Sequence, residues 1–159
     1  MRKLTALVLT AMFGFSGGTA VQAEPIPQLH STDATGCYLT DGSFVGPTVV
    51  LAAGLYHDAW IPRHQALTLI DVALASGCNI EDPDDVGSTP LVAAILYNEP
   101  ELVKYLLDNG ADPFRTLVSL KPYLNGRNAF QVLEYLVENQ PSQNRTQITE
   151  WLAAYVAAE

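Results

Sequence analysis

Basic side chains are scarce in this sequence: eight Lys and Arg stand against 17 Asp and Glu in 159 residues. A surface of that balance is repelled by nucleic acid and by anionic lipid, which excludes both as partners. No apolar run reaches the roughly 20 residues that a bilayer-spanning helix needs. The longest apolar region, Leu4 to Phe15, has 12. Catalytic motifs are missing too. There is no H-E-x-x-H, no phosphate-binding glycine loop and no G-x-S-x-G. His30, His57 and His64 are isolated, and no ligand spacing surrounds the two cysteines, so no metal or other cofactor is implied. Strand-length runs are also lacking, and the expected fold is all-α.

What is present begins with an export signal. Met1-Arg2-Lys3 is a short positive region, Leu4 to Phe15 is apolar, and Ser16 to Ala23 is rich in small residues and ends in Val-x-Ala. This pattern is a secretory signal peptide with cleavage expected after Ala23, and the expected destination is the periplasm. Cys37 lies too far from the apolar region, and lacks the preceding apolar residue, for a lipoprotein signal. Cleavage removes Arg2 and Lys3 and no acid, leaving Glu24–Glu159, 136 residues with six basic and 17 acidic side chains and a net charge of −11. The natural partner of such a chain is a protein with a basic patch. Both cysteines, Cys37 and Cys78, survive cleavage. In an oxidising compartment the pair suggests a disulfide, stabilising by roughly 3–4 kcal/mol; the alternative is two buried thiols.

The chain then divides into a loop-rich leader, 24–46, and a helical domain, 47–159. Thr48 to Leu55 reads as a short buried helix, with Val49 and Val50 leaving some strand ambiguity. Tyr56 to His64, with Pro62, reads as an inserted loop, and Gln65 to Ser76 as a helix ended by Gly77. Asn79 to Val86 is an acidic loop; it lacks the D-x-D-x-D-G order of a calcium loop and reads as a solvated finger. Thr89-Pro90 opens a helix as N-cap and first residue. Asn98-Glu99-Pro100 turns, and Leu102, Val103, Leu106 and Leu107 lie at helical spacing before Gly110. A longer link, Arg115 to Asn125, leads to helices at Asn128–Asn139 and Thr146–Ala158.

These helices repeat. Leu106 to Asp112 aligns with Ala73 to Asn79 at an offset of 33 residues, with Gly110 on Gly77. Gly87-Ser88-Thr89-Pro90-Leu91 aligns with Gly126 to Phe130 at 39, so the connection has gained six residues. The stretch Gly87–Pro113 reads G-x-T-P-L-x-x-A, a turn, then E-L-V-x-x-L-L-x-x-G-A-D. It resembles the ankyrin repeat family, with Val92 where the family usually has His and Asn98-Glu99 where it often has Gly-His. The resemblance implies a short solenoid of about three helix-turn-helix repeats, with the best repeat at 84–115 and degenerate capping repeats on either side.

The resemblance also implies a binding groove formed by finger tips and inner helix faces. Carried onto this chain, its positions are Asp84, Asp85, Val86, Ser88, Leu96 and Tyr97, with Arg127 and Tyr135 from the next repeat. Trp60 is a further candidate anchor. Small periplasmic proteins of this kind resemble immunity proteins that neutralise a toxin, or accessory proteins in oxidative-stress defence. The rival reading is an enzyme that uses His57, Asp58 and His64 as an acid–base cluster.

Overall fold

The computed structural model describes residues 29–58 and 61–158. The expected signal peptide, the start of the leader and Trp60 lie outside them. Three strands come first: β1 (His30–Ser31), β2 (Tyr38–Thr40) and β3 (Val45–Pro47). Six helices follow: α1 (Thr48–His57), α2 (Arg63–Ala75), α3 (Pro90–Leu96), α4 (Pro100–Asp108), α5 (Ala129–Asn139) and α6 (Thr146–Ala158). None of the described helices is long and apolar enough to cross a membrane.

The expectation of an all-α chain is corrected by the strands, which form an antiparallel sheet in the order β1-β2-β3. They are too short for alternation to reveal. Turn chemistry builds them instead. Asp41 Oδ1 accepts from the N–H and hydroxyl of Ser43 and from the N–H of Phe44. Asp33 Oδ1 does the same for the N–H groups of Thr35, Gly36 and Cys37. These are Asx turns, in which a short carboxylate stands in for a backbone carbonyl. The loop between β2 and β3 has four residues, Asp41 to Phe44, between the paired Thr40 and Val45.

The sheet is tied to the helices covalently and by hydrogen bonds. The sulfurs of Cys37 and Cys78 lie at disulfide distance, 2.13 Å, joining the start of β2 to the end of α2. The Thr48 N–H donates to the Cys37 carbonyl at 2.8 Å, which fixes β2 against the first turn of α1.

The helices pack in a repeating way. α1 lies on α2 and α3 on α4; α3 also contacts α1 on one side and α5 on the other, and α4 contacts α6. α3 is buried from Pro90 through Ile95, as an inner helix between two neighbours must be. Small Ala93 and Ala94 let the neighbouring backbones approach. α4 turns Leu102, Val103, Leu106 and Leu107 inward. The 33-residue offset holds bond for bond at the helix ends. Gly77 and Gly110 have φ of 86° and 91°. Cys78 N–H reaches the Ala73 carbonyl as Ala111 N–H reaches that of Leu106, and the glycine N–H groups reach Leu74 and Leu107. Both are Schellman caps. The 39-residue offset places Thr89 and Asn128 as N-caps; Thr89 accepts from the Val92 N–H, and Asn128 forms a reciprocal capping box with Gln131.

Two expectations about loops are also corrected. α1 runs to His57 and α2 begins at Arg63, so His57 and His64, expected in the inserted loop, both lie on helices. The acidic loop is more engaged than a solvated finger. Glu81 Oε1 accepts from the Asp112 N–H at 2.7 Å, Asp82 accepts from the Asn79 amide, and Asp84 accepts from the N–H groups of Val86 and Ser88. The six extra residues of the next link form a longer finger. Leu117 exchanges backbone hydrogen bonds with Gly126 and Arg127, and Leu120 N–H donates to the Val86 carbonyl at 3.0 Å. Gly87 sits at that crossing: a Cβ there would come within 2.1 Å of the Val118 carbonyl oxygen.

Candidate functional site

A cleft of about 280 Å³ opens where the β-hairpin, α1, α3 and the finger after α2 converge. Its floor is apolar: Val50, Leu51, Gly54 and Leu55 come from α1, and Ala93 from α3. Leu29 and Phe44 close one side. Around the rim stand Asp41, Asp58, Asp84 and Tyr97. A shallower groove continues from it past Phe44 and Val45 to Asp85 and Val86, sharing Phe44, Val50, Leu51 and Asp84 with the cleft.

Each rim residue is placed for a local reason. Asp41 is fixed by its own turn, and the hydrogen bonds from Ser43, side chain first, hold its carboxyl below the usual carboxylate range. Asp84 is fixed by the finger it organises. Asp58 is the C-cap of α1, its backbone N–H bonded to the Gly54 carbonyl at 3.2 Å. Tyr97 is the C-cap of α3 and stacks face to face on His57, with ring centroids 4.7 Å apart. Burial, followed by the nearby charges of Asp58 and Asp84, pushes the Tyr97 phenol above its ordinary range, so its O–H stays a donor. Among the described residues, none of Asp41, Asp58, Asp84 and Asp85 forms an ion pair; the four ion pairs present involve other acids.

Gly54 is unusual in this setting. It lies within α1, and a Cβ built on it would meet nothing within 4 Å. A helix-interior glycine costs about 1 kcal/mol relative to alanine. No close contact offsets that cost here; the space the glycine leaves belongs to the cleft.

Beneath the rim, one buried carboxylate ties α1, α2 and the start of α4 together. Glu99 is 7% exposed. Its Oε1 meets His57 Nδ1 at 2.9 Å, and its Oε2 accepts from Arg63 at 2.7 Å. Both partners are about half exposed, so losing either leaves the buried charge under-compensated while the lost partner's own site is already wet. Asn98 just before it has φ of 59°, a left-handed position that suits Asn or Gly. The two departures from the family pattern at 98–99 thus acquire physical roles: Asn98 makes the turn, and Glu99 clamps the preceding pair of helices.

The sequence-derived site residues separate into groups. Asp84, Asp85, Val86 and Tyr97 line the cleft and its groove. Ser88 is buried at 3% exposure and offers a partner nothing. Leu96 packs half-buried against the core. Arg127 and Tyr135 belong to a separate stack, the guanidinium 4.7 Å over the Tyr135 ring, which in turn faces Tyr123 at 5.7 Å. His57, Asp58 and His64 do not form an acid–base cluster: His57 is held by Glu99 and Tyr97, and no hydrogen bond joins it to exposed His64. Sequence reasoning missed Asp41, Phe44 and Gly54. They sit in segments without a motif, and only a glycine within an otherwise apolar helix hinted at the last.

Comparison with known proteins agrees with this geometry where it speaks. No curated protein and no solved structure gives a significant match. The family model for the ankyrin repeat matches residues 86–116, which hold the finger tip at Val86, all of α3 with its Tyr97 cap, and all of α4. Ankyrin repeats are protein–protein interaction modules, and residues 86–116 of this chain are one such repeat.

Proposed function

We propose that this protein is an exported ankyrin-repeat module that binds a partner protein bearing a basic patch, in the manner of an immunity protein that neutralises a toxin. The three helix pairs act as a short solenoid, with the outer two capping the 86–116 repeat. The observation that carries the reading is the acidic groove: Asp41, Asp58, Asp84 and Asp85 surround apolar surface with no cation of the described residues paired to them. A like-charged rim around an apolar floor is electrostatically incomplete and attracts a complementary surface. Export is supported by the basic, apolar and small-residue order of residues 1–23 and by a cysteine pair suited to an oxidising compartment.

In-cell crosslinking tests the reading. Photo-crosslinker at Tyr97 should capture one protein whose capture weakens with added salt and is lost with Asp85→Lys. Capture of many proteins, or capture indifferent to salt and to Asp85→Lys, would contradict it. Intact mass of the exported chain should correspond to Glu24–Glu159; retention of residues 1–23 would remove the export reading.

A further inference from the structure

We infer that the cleft between α1, α3 and the 41–44 turn is an anchor pocket for one long cationic side chain, lysine or arginine, of the partner protein. The inference rests on the protein-binding reading above and adds the chemistry of the group that enters. A cavity of about 280 Å³ has room for one long side chain. Its floor, around Leu51, Gly54 and Ala93, is apolar, which suits the methylene stem of lysine or arginine. Its rim carries Asp41, Asp58 and Asp84, three carboxylates without an ion-pair partner among the described residues, which suit the charged head. An uncharged apolar side chain would fill the floor but leave the carboxylates unmet; a short cation would reach the rim and leave the floor empty. Only a side chain with both parts meets both surfaces.

Gly54 is the second, independent observation. It is a glycine within a helix, no contact requires it, and its missing side chain opens directly into free space. Gly54 lines the cleft, so a side chain added here would take up cleft space. A Cβ at this position would enter the cleft without meeting a neighbour.

The test uses the disulfide-bonded protein and NMR titration with N-acetyl-lysine N-methylamide, the arginine equivalent, and the norleucine equivalent, which keeps a four-carbon stem and drops the charge. The lysine and arginine probes should give saturable shifts at the amides of Gly54, Ala93 and Tyr97, weakened by salt, and the norleucine probe should give none. Gly54→Leu should abolish those shifts with helical circular dichroism unchanged. Asp58→Asn, which touches no described hydrogen bond of the Asp58 side chain, should weaken them several-fold. Gly54→Ala, the milder filling, should lie between wild type and Gly54→Leu, and it keeps the test open if the leucine variant does not fold. Equal shifts with norleucine, shifts scattered over other acidic residues, or an unaltered response in both Gly54→Leu and Asp58→Asn would overturn the proposal. So would tighter saturation by free putrescine than by either amino-acid probe, since that marks a small-amine site. If the crosslinked partner binds Gly54→Leu as it binds wild type yet is lost with Asp85→Lys, the protein-binding reading stands and the anchor falls. If neither change affects it, both fall.

Discussion

The middle repeat and the layer that precedes it are built from the same parts to different ends. In the middle repeat, α3 has a side-chain N-cap, proline at its first position and burial along nearly its whole length, and α4 ends in a Schellman cap. In the preceding layer, neither α1 nor α2 has a side-chain N-cap, and α1 carries a glycine with open space in front of it. That layer is held instead by the Cys37–Cys78 link, the Thr48 bond to Cys37, and Glu99 reaching over from the middle repeat. The difference teaches that the capped helices sit in the middle repeat and the open cleft at its border with the preceding layer. The middle repeat supplies packing against which the first layer can hold a cleft open.

The largest expected effect is at Leu106, which is fully buried in α4. Leu106→Ala should cost about 2–5 kcal/mol in denaturant unfolding, through lost burial and the cavity left behind. If the middle repeat is the support, the loss should appear as one cooperative transition that also releases α1 and α2. A variant in which the first layer stays protected while α4 melts would break the comparison.

Removal of the disulfide comes next. Paired Cys37→Ser and Cys78→Ser substitutions should cost about 2–4 kcal/mol in the chain-entropy account. Hydrogen exchange should rise in the hairpin and in α1 and change little in α3 and α4. Uniform loosening would say that the two layers are not distinct.

How much of this was legible beforehand follows from where each feature stores its information. The repeat was readable because its signals are local: Thr89-Pro90 opens a helix, Gly77 and Gly110 end helices 33 residues apart, and the leucines between keep helical spacing. The hairpin was missed because two- and three-residue strands carry no period. The cleft was half visible. Asp84, Asp85 and Tyr97 fall in or beside the readable repeat, whereas Asp41 and Gly54 come from the leader and from a helix with no motif, and only the fold brings them together. Arg127 and Tyr135 were grouped with the groove by analogy between repeats, but the longer second finger carries Tyr123 to them and makes a separate stack.

Two smaller effects sharpen the contrast. Gly54→Ala should raise stability by about 0.5–1 kcal/mol, since alanine is the better helix former and nothing stands in its way. A gain of stability joined to weaker binding is the signature of a position kept open for function. Glu81→Gln should matter least. Burial raises the Glu81 carboxyl above its ordinary value, against the Asp112 N–H and the more distant Arg115, which lower it. The folded state therefore holds this proton more tightly than the unfolded state. Its contribution to stability is present below the ordinary carboxyl value and declines as pH rises to the raised one. Glutamine keeps the acceptor for Asp112 and should flatten that decline in pH-dependent thermal unfolding, leaving the first layer untouched.

The central claim, that the first layer's cleft and not the later stack is the recognition surface, is tested most directly by the affinity of the crosslinked partner for three variants. Gly54→Leu and Asp58→Asn alter the cleft, and Tyr135→Ala removes the stack on the next repeat. The expected result is a large loss with Gly54→Leu, a several-fold loss with Asp58→Asn and wild-type affinity with Tyr135→Ala. Full affinity in both cleft variants together with a loss in Tyr135→Ala would contradict it.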